Sequence, residues 1–263
     1  MYRSPETIGM LSIDLNCDLG EGMSNDEELM PLISSANIAC GGHAGDVDTM
    51  QQTVELALKH NVAIGAHPSY PDKENFGRKD LIDLSLRPEE LVDIIFEQVN
   101  QLKTICLKFG TNLQHIKPHG ALYNRAAKDR VISSFICKAL LQIDPNPILF
   151  GLSGSEMKTA ADESNIKFVS EVFADRTYQE DGALTARSHL NALIENEEQA
   201  LNQVIQMIKT GTVQSLNGKT IPIQAETICL HGDGKRPVQF AQLISGALMK
   251  EGIAIKPPIK YKM

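Results

Sequence analysis

Residues 37–46 read NIACGGHAGD, and this stretch carries the most informative pattern in the chain. Two adjacent glycines stand beside a cysteine, a histidine and an aspartate, after a short apolar run and before a long amphipathic segment. Glycine suits places where the backbone turns tightly or approaches a ligand. Polar residues between a strand and a helix are where α/β proteins carry their chemistry. The stretch therefore predicts a strand, a functional loop and a helix.

The chain on both sides repeats this alternation of short apolar runs and helical patterns. Strands are predicted at 11–19, 35–40, 62–67, 113–116, 147–152, 166–172 and within 221–230. Helices are predicted at 47–60, 87–109, 129–142, 153–164, 194–210 and 237–250, and a long loop at 173–189. Asp46 is expected to cap the first of these helices. Such alternation favours a parallel sheet covered by helices, closed as a TIM-like (β/α) barrel with about seven strands.

The bulk composition favours one large domain. The chain has 263 residues, 42% of them hydrophobic, which is enough for an ample core. We expect a single barrel domain over residues 10–263 and a detachable tail over 1–9, with Met10 as an alternative start. A net charge of -8 without a long basic run argues against nucleic acid as a partner.

The sequence shows no recognisable targeting signal, which favours a cytoplasmic location. No apolar run approaches the roughly 20 residues that a membrane span needs, and the N-terminus lacks the apolar centre of a signal peptide. The five cysteines are dispersed and form no CxxC pair, which favours reduced cytosolic thiols.

Four of the seven histidines follow predicted strands, and three of them touch a glycine. If the strands are parallel, all four side chains meet at one rim of the barrel. These histidines are His43, His67, His119 and His231. Further polar residues at predicted strand ends are Asn16, Asp18, Glu21, Lys117, Glu171, Arg176 and Asp233.

Asp14 and Asp18 stand at even spacing on the first strand, so both can face the same side. Charges that face a barrel interior are costly unless they are paired or functional. One of them could act as a general base and the other as an orienting group or a metal ligand. The alternative is that Asp18 only caps a turn.

Several single residues allow more than one interpretation. Lys117 could hold an anion or act as a base with a lowered pKa. Arg176 and Arg187 could clamp a carboxylate or phosphate, or be solvated loop charges. Cys40 could be a nucleophilic thiol, but a small buried cysteine is favoured. His115 has metal-ligand spacing to a second histidine, but a strand end lies between them, so a ligand role is disfavoured.

Taken together and in order, seven blocks make the sequence similar to the LamB/YcsF family. The blocks are IDLNCDLGE (13–21), NIACGGHAGD, GAHPSYPD (65–72), FGR (76–78), KPHGALYN (117–124), EVFADRTYQEDGAL (171–184) and CLHGDG (229–234). The resemblance implies a seven-stranded barrel related to glycoside hydrolases and deacetylases. It also implies a hydrolase that opens the cyclic amide of 5-oxoproline to glutamate with ATP, as a 5-oxoprolinase shared with partner subunits B and C.

The way in which ATP would be used stays open. The segment GLSGSEMKT (151–159) lacks the GK[ST] of a P-loop, which agrees with a division of labour among subunits, although ATP could bind by another route. A lactam is a poor electrophile, and phosphorylation of its oxygen would let water attack the carbon, with phosphate as a leaving group.

The implied reaction suggests roles for the residues at the rim. Asp14 or Asp18 would take the proton of water. His43, His119 or His231 would donate a proton to the ring nitrogen or to the leaving phosphate. Lys117 would stabilise oxyanion charge, and the arginines at 176 and 187 would hold the substrate carboxylate. Further substrate contacts are expected from Asn16, Glu21, Asn37, His67, Arg78, Glu171, Arg176, Arg187 and Asp233.

Two other functions are compatible with the same residues. A stand-alone metal-dependent amidohydrolase or deacetylase could use one divalent ion, with Asp18, His43, His67 and His231 as ligands. A non-catalytic subunit could use the polar rim for docking. Aromatic residues are only 5% of the chain and tryptophan is absent, whereas docking surfaces favour aromatic and arginine anchors, so the docking role is the weaker one.

Overall fold

Strands and helices alternate along the chain as the sequence predicts. The structure, a computed structural model, describes residues 11–82, 84–232 and 236–259. Its strands are β1 (Ser12–Leu19), β2 (Ser35–Ala39), β3 (Ala63–His67), β4 (His115–Ile116), β5 (Ile148–Leu152), β6 (Lys167–Phe173), β7 (Thr212–Gln214), β8 (Thr220–Pro222), β9 (Thr227–Leu230) and β10 (Ala254–Ile255). Its α-helices are α1 (Asp26–Leu29), α2 (Val47–His60), α3 (Leu91–Lys108), α4 (Gly120–Ala126), α5 (Arg130–Ile143), α6 (Glu156–Glu163), α7 (Glu197–Thr210) and α8 (Pro237–Lys250). Short 3-10 helices lie at Met30–Leu32 and Pro88–Glu90.

Seven parallel strands close into a barrel. Strands β1, β2, β3, β4, β5, β6 and β9 are hydrogen-bonded in that order, and β9 also pairs with β1. In the register of this sheet Asp18 lies beside Asn37, and Asp14 lies beside Thr227. The short β10 pairs with the beginning of β1. The predicted TIM-like, seven-stranded barrel is therefore confirmed.

The strands are buried on both faces because helices cover the outside and side chains, several of them polar, fill the inside. Every residue of β2 and β5 is buried. The helices turn one apolar stripe inward; in α3 this stripe includes Leu91, Ile95 and Leu102. The Asp46 side chain accepts a hydrogen bond from the Thr49 amide at 2.8 Å, so the predicted cap of α2 is also confirmed. None of the helices in the described ranges is both long and apolar enough to cross a membrane.

The structure differs from the sequence-based expectation near the C-terminal half. The last barrel strand, predicted within 221–230, is confirmed as β9, whereas the short β8 before it was not predicted and ends at Pro222, which lacks the N–H that a central strand must donate. Strand β8 pairs antiparallel with β7 outside the barrel, and only β9 enters it. Helix α7 begins at Glu197 rather than 194, where Asn196 caps the Gln199 amide. Helix α4 was not predicted. The predicted tail at 1–9 and the alternative start at Met10 lie outside the described residues.

Candidate functional site

A cavity of about 990 Å³ opens where the carboxyl ends of the barrel strands meet. Its walls come from the loops after β1, β3, β4, β5, β6 and β9. The predicted site residues that line it are Asp18, Glu21, His67, Arg78, Lys117, His119, Arg176, Arg187 and His231. Parallel strands deliver all these loops to one rim, which is where (β/α) barrels carry their active sites.

Lys117 lies at the centre of the cavity floor and is buried. Its Nζ is 3.0 Å from Asp18 Oδ1 and 2.9 Å from Glu171 Oε1. It also donates to Cys229 Sγ at 3.1 Å. Burial opposes its charge, but Asp18 and its other anionic neighbours outweigh this effect and raise the pKa of Lys117 well above its usual value. The structure therefore gives an ammonium group that can stabilise an anion and contradicts a base with a lowered pKa.

Asp18 stays ionised beside that ammonium. Its Oδ1 also accepts from Asn37 Nδ2 at 2.8 Å, and its Oδ2 lies 3.4 Å from His67 Nε2. Burial opposes the charge, but His67 and Lys117 outweigh it and hold the pKa of Asp18 well below its usual value. A carboxylate with so low a pKa is a weak proton acceptor and a strong electrostatic partner.

Asn16 and Asn37 form the layer below the cavity and hold the charged pair in place. Lys117 Nζ donates to Asn16 Oδ1 at 3.1 Å, and Asn37 Nδ2 donates to the same oxygen at 2.8 Å. His115 Nε2 donates to Asn37 Oδ1 at 2.8 Å, and its ring stacks on Phe150. His115 is thus occupied in this buried layer, away from the cavity wall. Neither asparagine lines the cavity, so both act on a bound molecule only through their neighbours.

Asp14 lies deeper in the barrel than the layer formed by Asn16 and Asn37. It accepts hydrogen bonds from the hydroxyl groups of Ser34 at 2.6 Å and Ser35 at 2.7 Å, and from that of Thr227 at 2.5 Å. Burial, only partly offset by these hydroxyls, raises its pKa to about 6. The strand period gives it the same side as Asp18, but four residues at about 3.3 Å each put it about 13 Å away along the strand, toward the closed end of the barrel. The expectation that Asp14 contributes to the cavity therefore does not match its position.

Glu21 and three histidines form a compact cluster at the cavity wall. Glu21 Oε1 lies 2.9 Å from His43 Nε2, 3.9 Å from His67 Nε2 and 3.5 Å from His119 Nδ1. His67 Nε2 and His119 Nδ1 are 2.9 Å apart. These four atoms all lie within 4.8 Å of one another, which is the spacing of ligands around one metal ion. The ligand set expected from the sequence was Asp18, His43, His67 and His231; in the structure Glu21 and His119 join His43 and His67, and His231 lies apart from them.

The protonation of the cluster follows from its surroundings. His67 Nδ1 donates to the Lys117 carbonyl at 2.7 Å, and His119 Nε2 donates to the Phe76 carbonyl at 3.0 Å. Burial and the neighbouring His67 lower the pKa of His43 to about 3 and that of His119 to about 2. Burial also opposes the charge of His67, but Asp18 outweighs it and raises the pKa of His67.

Two glycines let the loops crowd around this cluster. A Cβ atom on Gly42 would lie 2.5 Å from Ser69 Oγ and from Gln98 Oε1. A Cβ atom on Gly77 would lie 2.9 Å from atoms of His43 and His119, and its backbone has φ +63°, a conformation that favours glycine. The conjunction of glycines and reactive side chains in the sequence therefore reflects close packing of loops around the histidines.

On the opposite wall His231 forms a dyad with Asp175. His231 Nδ1 lies 2.9 Å from both carboxylate oxygens of Asp175, and Arg187 Nη2 donates to His231 Nε2 at 3.1 Å. Burial opposes ionisation of Asp175, but His231 outweighs it and keeps the pKa of that carboxyl low. Sequence reasoning did not select Asp175, although it comes two residues after β6, where the strand-end rule could have found it.

The remaining candidates differ in what they can do. Arg176 is buried and donates from Nη2 to the Thr185 carbonyl at 2.6 Å, so much of its hydrogen-bonding capacity anchors the long loop. Arg187 belongs to the exposed part of the same loop. Burial raises the pKa of Cys40 to about 12, which agrees with a buried thiol. Asp233 lies outside the described residues.

Comparison with known proteins places the whole chain in one group. The model of the LamB/YcsF family matches residues 13–262. A Bacillus mycoides (strain KBAB4) protein, named as the A subunit of 5-oxoprolinase, is 50% identical over 257 residues, covering 95% of this chain and 100% of that protein. Its namesake from Bacillus thuringiensis subsp. konkukian (strain 97-27) is 49% identical with the same coverage. A lactam utilization protein from Thermus thermophilus has a solved structure with a TM-score of 0.88 and 34% identity, covering 94% of this chain and 99% of that one. The chain belongs to the LamB/YcsF family.

Proposed function

We propose that this chain is one component of a multi-subunit 5-oxoprolinase and that its cavity is where the lactam of 5-oxoproline is opened to L-glutamate. The observation that carries the proposal is the full-length identity of about 50% to proteins named as the A subunit of 5-oxoprolinase. The cavity supports it, because it combines a fixed ammonium, an ionised carboxylate and a histidine–aspartate dyad. These are the groups that opening a cyclic amide requires.

ATP is the proposed co-substrate, since a lactam carbonyl is too weak an electrophile for water alone. Transfer of the γ-phosphoryl group of ATP to the lactam oxygen releases ADP and gives a reactive carbon. One water adds to this carbon, and the ring nitrogen leaves with its electron pair and takes up a proton, which yields an acyl phosphate. A second water displaces phosphate from the acyl carbon and leaves glutamate. The sum is two waters and one ATP consumed for each ring opened.

The residues of the cavity have distinct roles in this proposal. His231, with Nδ1–H held by Asp175, presents Nε2 as the proton acceptor for water once Arg187, which donates to Nε2 in this structure, turns to the substrate carboxylate. The same Nε2 then donates the proton to the ring nitrogen. Lys117 stabilises the charge that develops on oxygen, and Asp18 keeps the ammonium in position. This arrangement assigns the base role to His231 rather than to either aspartate of β1.

The substrate carboxylate needs a cation near the cavity mouth. Arg187 Nη2 lies 3.1 Å from His231 Nε2 and is the more accessible of the two arginines. It would hold the carboxylate beside the base, whereas Arg176 mainly fixes the loop that carries Arg187. We propose subunits B and C as the partners that handle the phosphoryl transfer.

The test is the release of glutamate from 5-oxoproline with ATP, measured with this chain alone, with subunits B and C alone, and with all three. We expect turnover only when all three are present. Equal turnover by subunits B and C without this chain would contradict the proposal.

A second function is favoured by the histidine cluster. If the chain were a stand-alone metal-dependent amidohydrolase, it would hydrolyse 5-oxoproline or a simple acetamide without ATP after incubation with Zn²⁺. Comparing zinc-treated and chelator-treated chain in that assay separates the two functions, because the multi-subunit proposal predicts no turnover in either sample.

A further inference from the structure

We infer that Glu21, His43, His67 and His119 form a binding site for one divalent transition-metal ion, with zinc as the best match. The inference concerns binding alone, so it does not depend on the proposed lactam chemistry. The cluster lies at the cavity wall, where Glu21, His67 and His119 are lining residues and His43 lies behind them.

The distances within the cluster agree with ligands around one small ion. Tetrahedral zinc with bonds of about 2.0–2.1 Å places its ligand atoms about 3.3 Å from one another. All four ligand atoms lie within 4.8 Å of one another, and the separations that involve Glu21 Oε1, or that join His67 Nε2 to His119 Nδ1, run from 2.9 Å to 3.9 Å. The Glu21–His119 separation of 3.5 Å lies between them. The side chains therefore already lie at the spacing that coordination requires.

Hydrogen bonds outside the cluster direct two lone pairs toward its centre. His67 donates its Nδ1 proton to the Lys117 carbonyl, and His119 donates its Nε2 proton to the Phe76 carbonyl. The other ring nitrogens then face each other at 2.9 Å, and two lone pairs at that distance repel unless a proton or a metal ion lies between them. Ligating histidines are usually oriented by such bonds from the far ring nitrogen to a carbonyl.

The donor set selects the kind of metal. Three imidazole nitrogens with one carboxylate oxygen suit zinc and neighbouring transition metals. Magnesium and calcium prefer oxygen ligands throughout, so they should not compete at this site.

His43 is the least well supported of the three imidazoles. Its Nδ1 is buried without a hydrogen-bond partner among the described residues, so no second group fixes its orientation as carbonyls fix the other two rings. Its ring is instead held by stacking on His119 at a centroid distance of 3.7 Å. We therefore expect His43 to contribute less to affinity than His67 or His119.

The test is zinc uptake by the full chain after treatment with a chelator and dialysis, with metal content and titration calorimetry as readouts. We expect about one zinc per chain, and no uptake of Mg²⁺ under the same conditions. His67→Ala and His119→Ala should each weaken zinc binding by more than about 100-fold, and His43→Ala should weaken it less. His231→Ala is the matched control, a histidine of the same cavity outside the cluster, and should retain full uptake.

Two results would overturn the inference. One is a wild-type chain that binds no zinc above the level of its Mg²⁺ control. The other is unchanged zinc affinity in both His67→Ala and His119→Ala. Circular dichroism shows whether each variant is folded, and the visible absorption of Co²⁺ added to the wild-type chain provides a test that needs no variant. Intense tetrahedral bands support the site, and the weak spectrum of hydrated Co²⁺ contradicts it.

Discussion

His231 Nδ1 lies 2.9 Å from both carboxylate oxygens of Asp175, so the aspartate fixes the ring and makes Nε2, which accepts from Arg187 in this structure, the nitrogen that faces the chemistry. This relationship predicts that Asp175→Asn lowers kcat of the assembled enzyme by about 10²–10⁴-fold, the usual contribution of a positioned acid or base. His231→Asn should lower it as much, because the two residues act as one unit. The measurement is glutamate release by complexes whose assembly is verified by gel filtration. Full activity of Asp175→Asn would remove His231 from the role of base.

Lys117 pairs with the buried carboxylate of Glu171 and the partly buried one of Asp18, and its loss should destabilise the fold. Lys117→Met keeps a long, unbranched side chain but leaves Asp18 and Glu171 without their cation, which should lower the free energy of unfolding by about 3–5 kcal/mol. Urea unfolding measures this change. The matched control is Lys59→Met, since Lys59 is exposed on α2 and lies 3.8 Å from Glu27; it should change stability by less than about 1 kcal/mol. Equal stability of the two variants would contradict the ion pairs described.

Asp14 should give the protein a specific dependence of stability on pH. Burial raises its pKa from 3.8 to about 6, so the native state binds this proton more tightly than the unfolded chain does. Its contribution is therefore fully present below about pH 4, is lost as pH rises toward 6, and is constant above that. Relative to Asp14→Asn, the wild type should lose about 1–2 kcal/mol between about pH 5 and pH 7.5. Urea unfolding at both pH values checks this, and parallel pH curves for the two proteins would contradict it.

Gly77 should be intolerant of a side chain because the histidine cluster packs against it. In Gly77→Ala the new Cβ would lie 2.9 Å from atoms of His43 and His119. Gly110→Ala is the matched control, because Gly110 has a similar φ of +70° but no described atom within 4 Å of a Cβ. Both variants carry the backbone strain of about 1–2 kcal/mol, and only Gly77→Ala adds crowding of about 1–3 kcal/mol. Thermal unfolding gives the melting temperature of each variant. An equal decrease for both would show that the loop has room to move.

The barrel fold, and the end of the barrel that carries the polar site, could be predicted from the sequence because both follow from local patterns. Alternating strands and helices specify a parallel sheet, and residues after strands then meet at one end. Asp14 and Asp18 share a side by the strand period and are four residues apart along the strand, but only the assembled barrel shows that the cavity floor lies at the level of Asp18.

The partners of each site residue also depended on the three-dimensional structure. Four histidines at strand ends can be combined in several ways, and loop conformation decides which ones meet. The loop containing Gly77 brings the Phe76 carbonyl to His119, which directs that ring toward His67 and Glu21. His231 faces Asp175 instead, a pairing that no spacing in the sequence indicates.

The central claim is that the floor of this cavity, where Asp18 meets Lys117, is where 5-oxoproline is opened. The most direct measurement is the rate of glutamate formation by the three-subunit complex containing Asp18→Asn, with assembly and ATP held equal to the wild type. The account predicts a loss of about 100-fold or more, because the variant removes the anion that positions the ammonium. An unchanged rate in a fully assembled complex would contradict it.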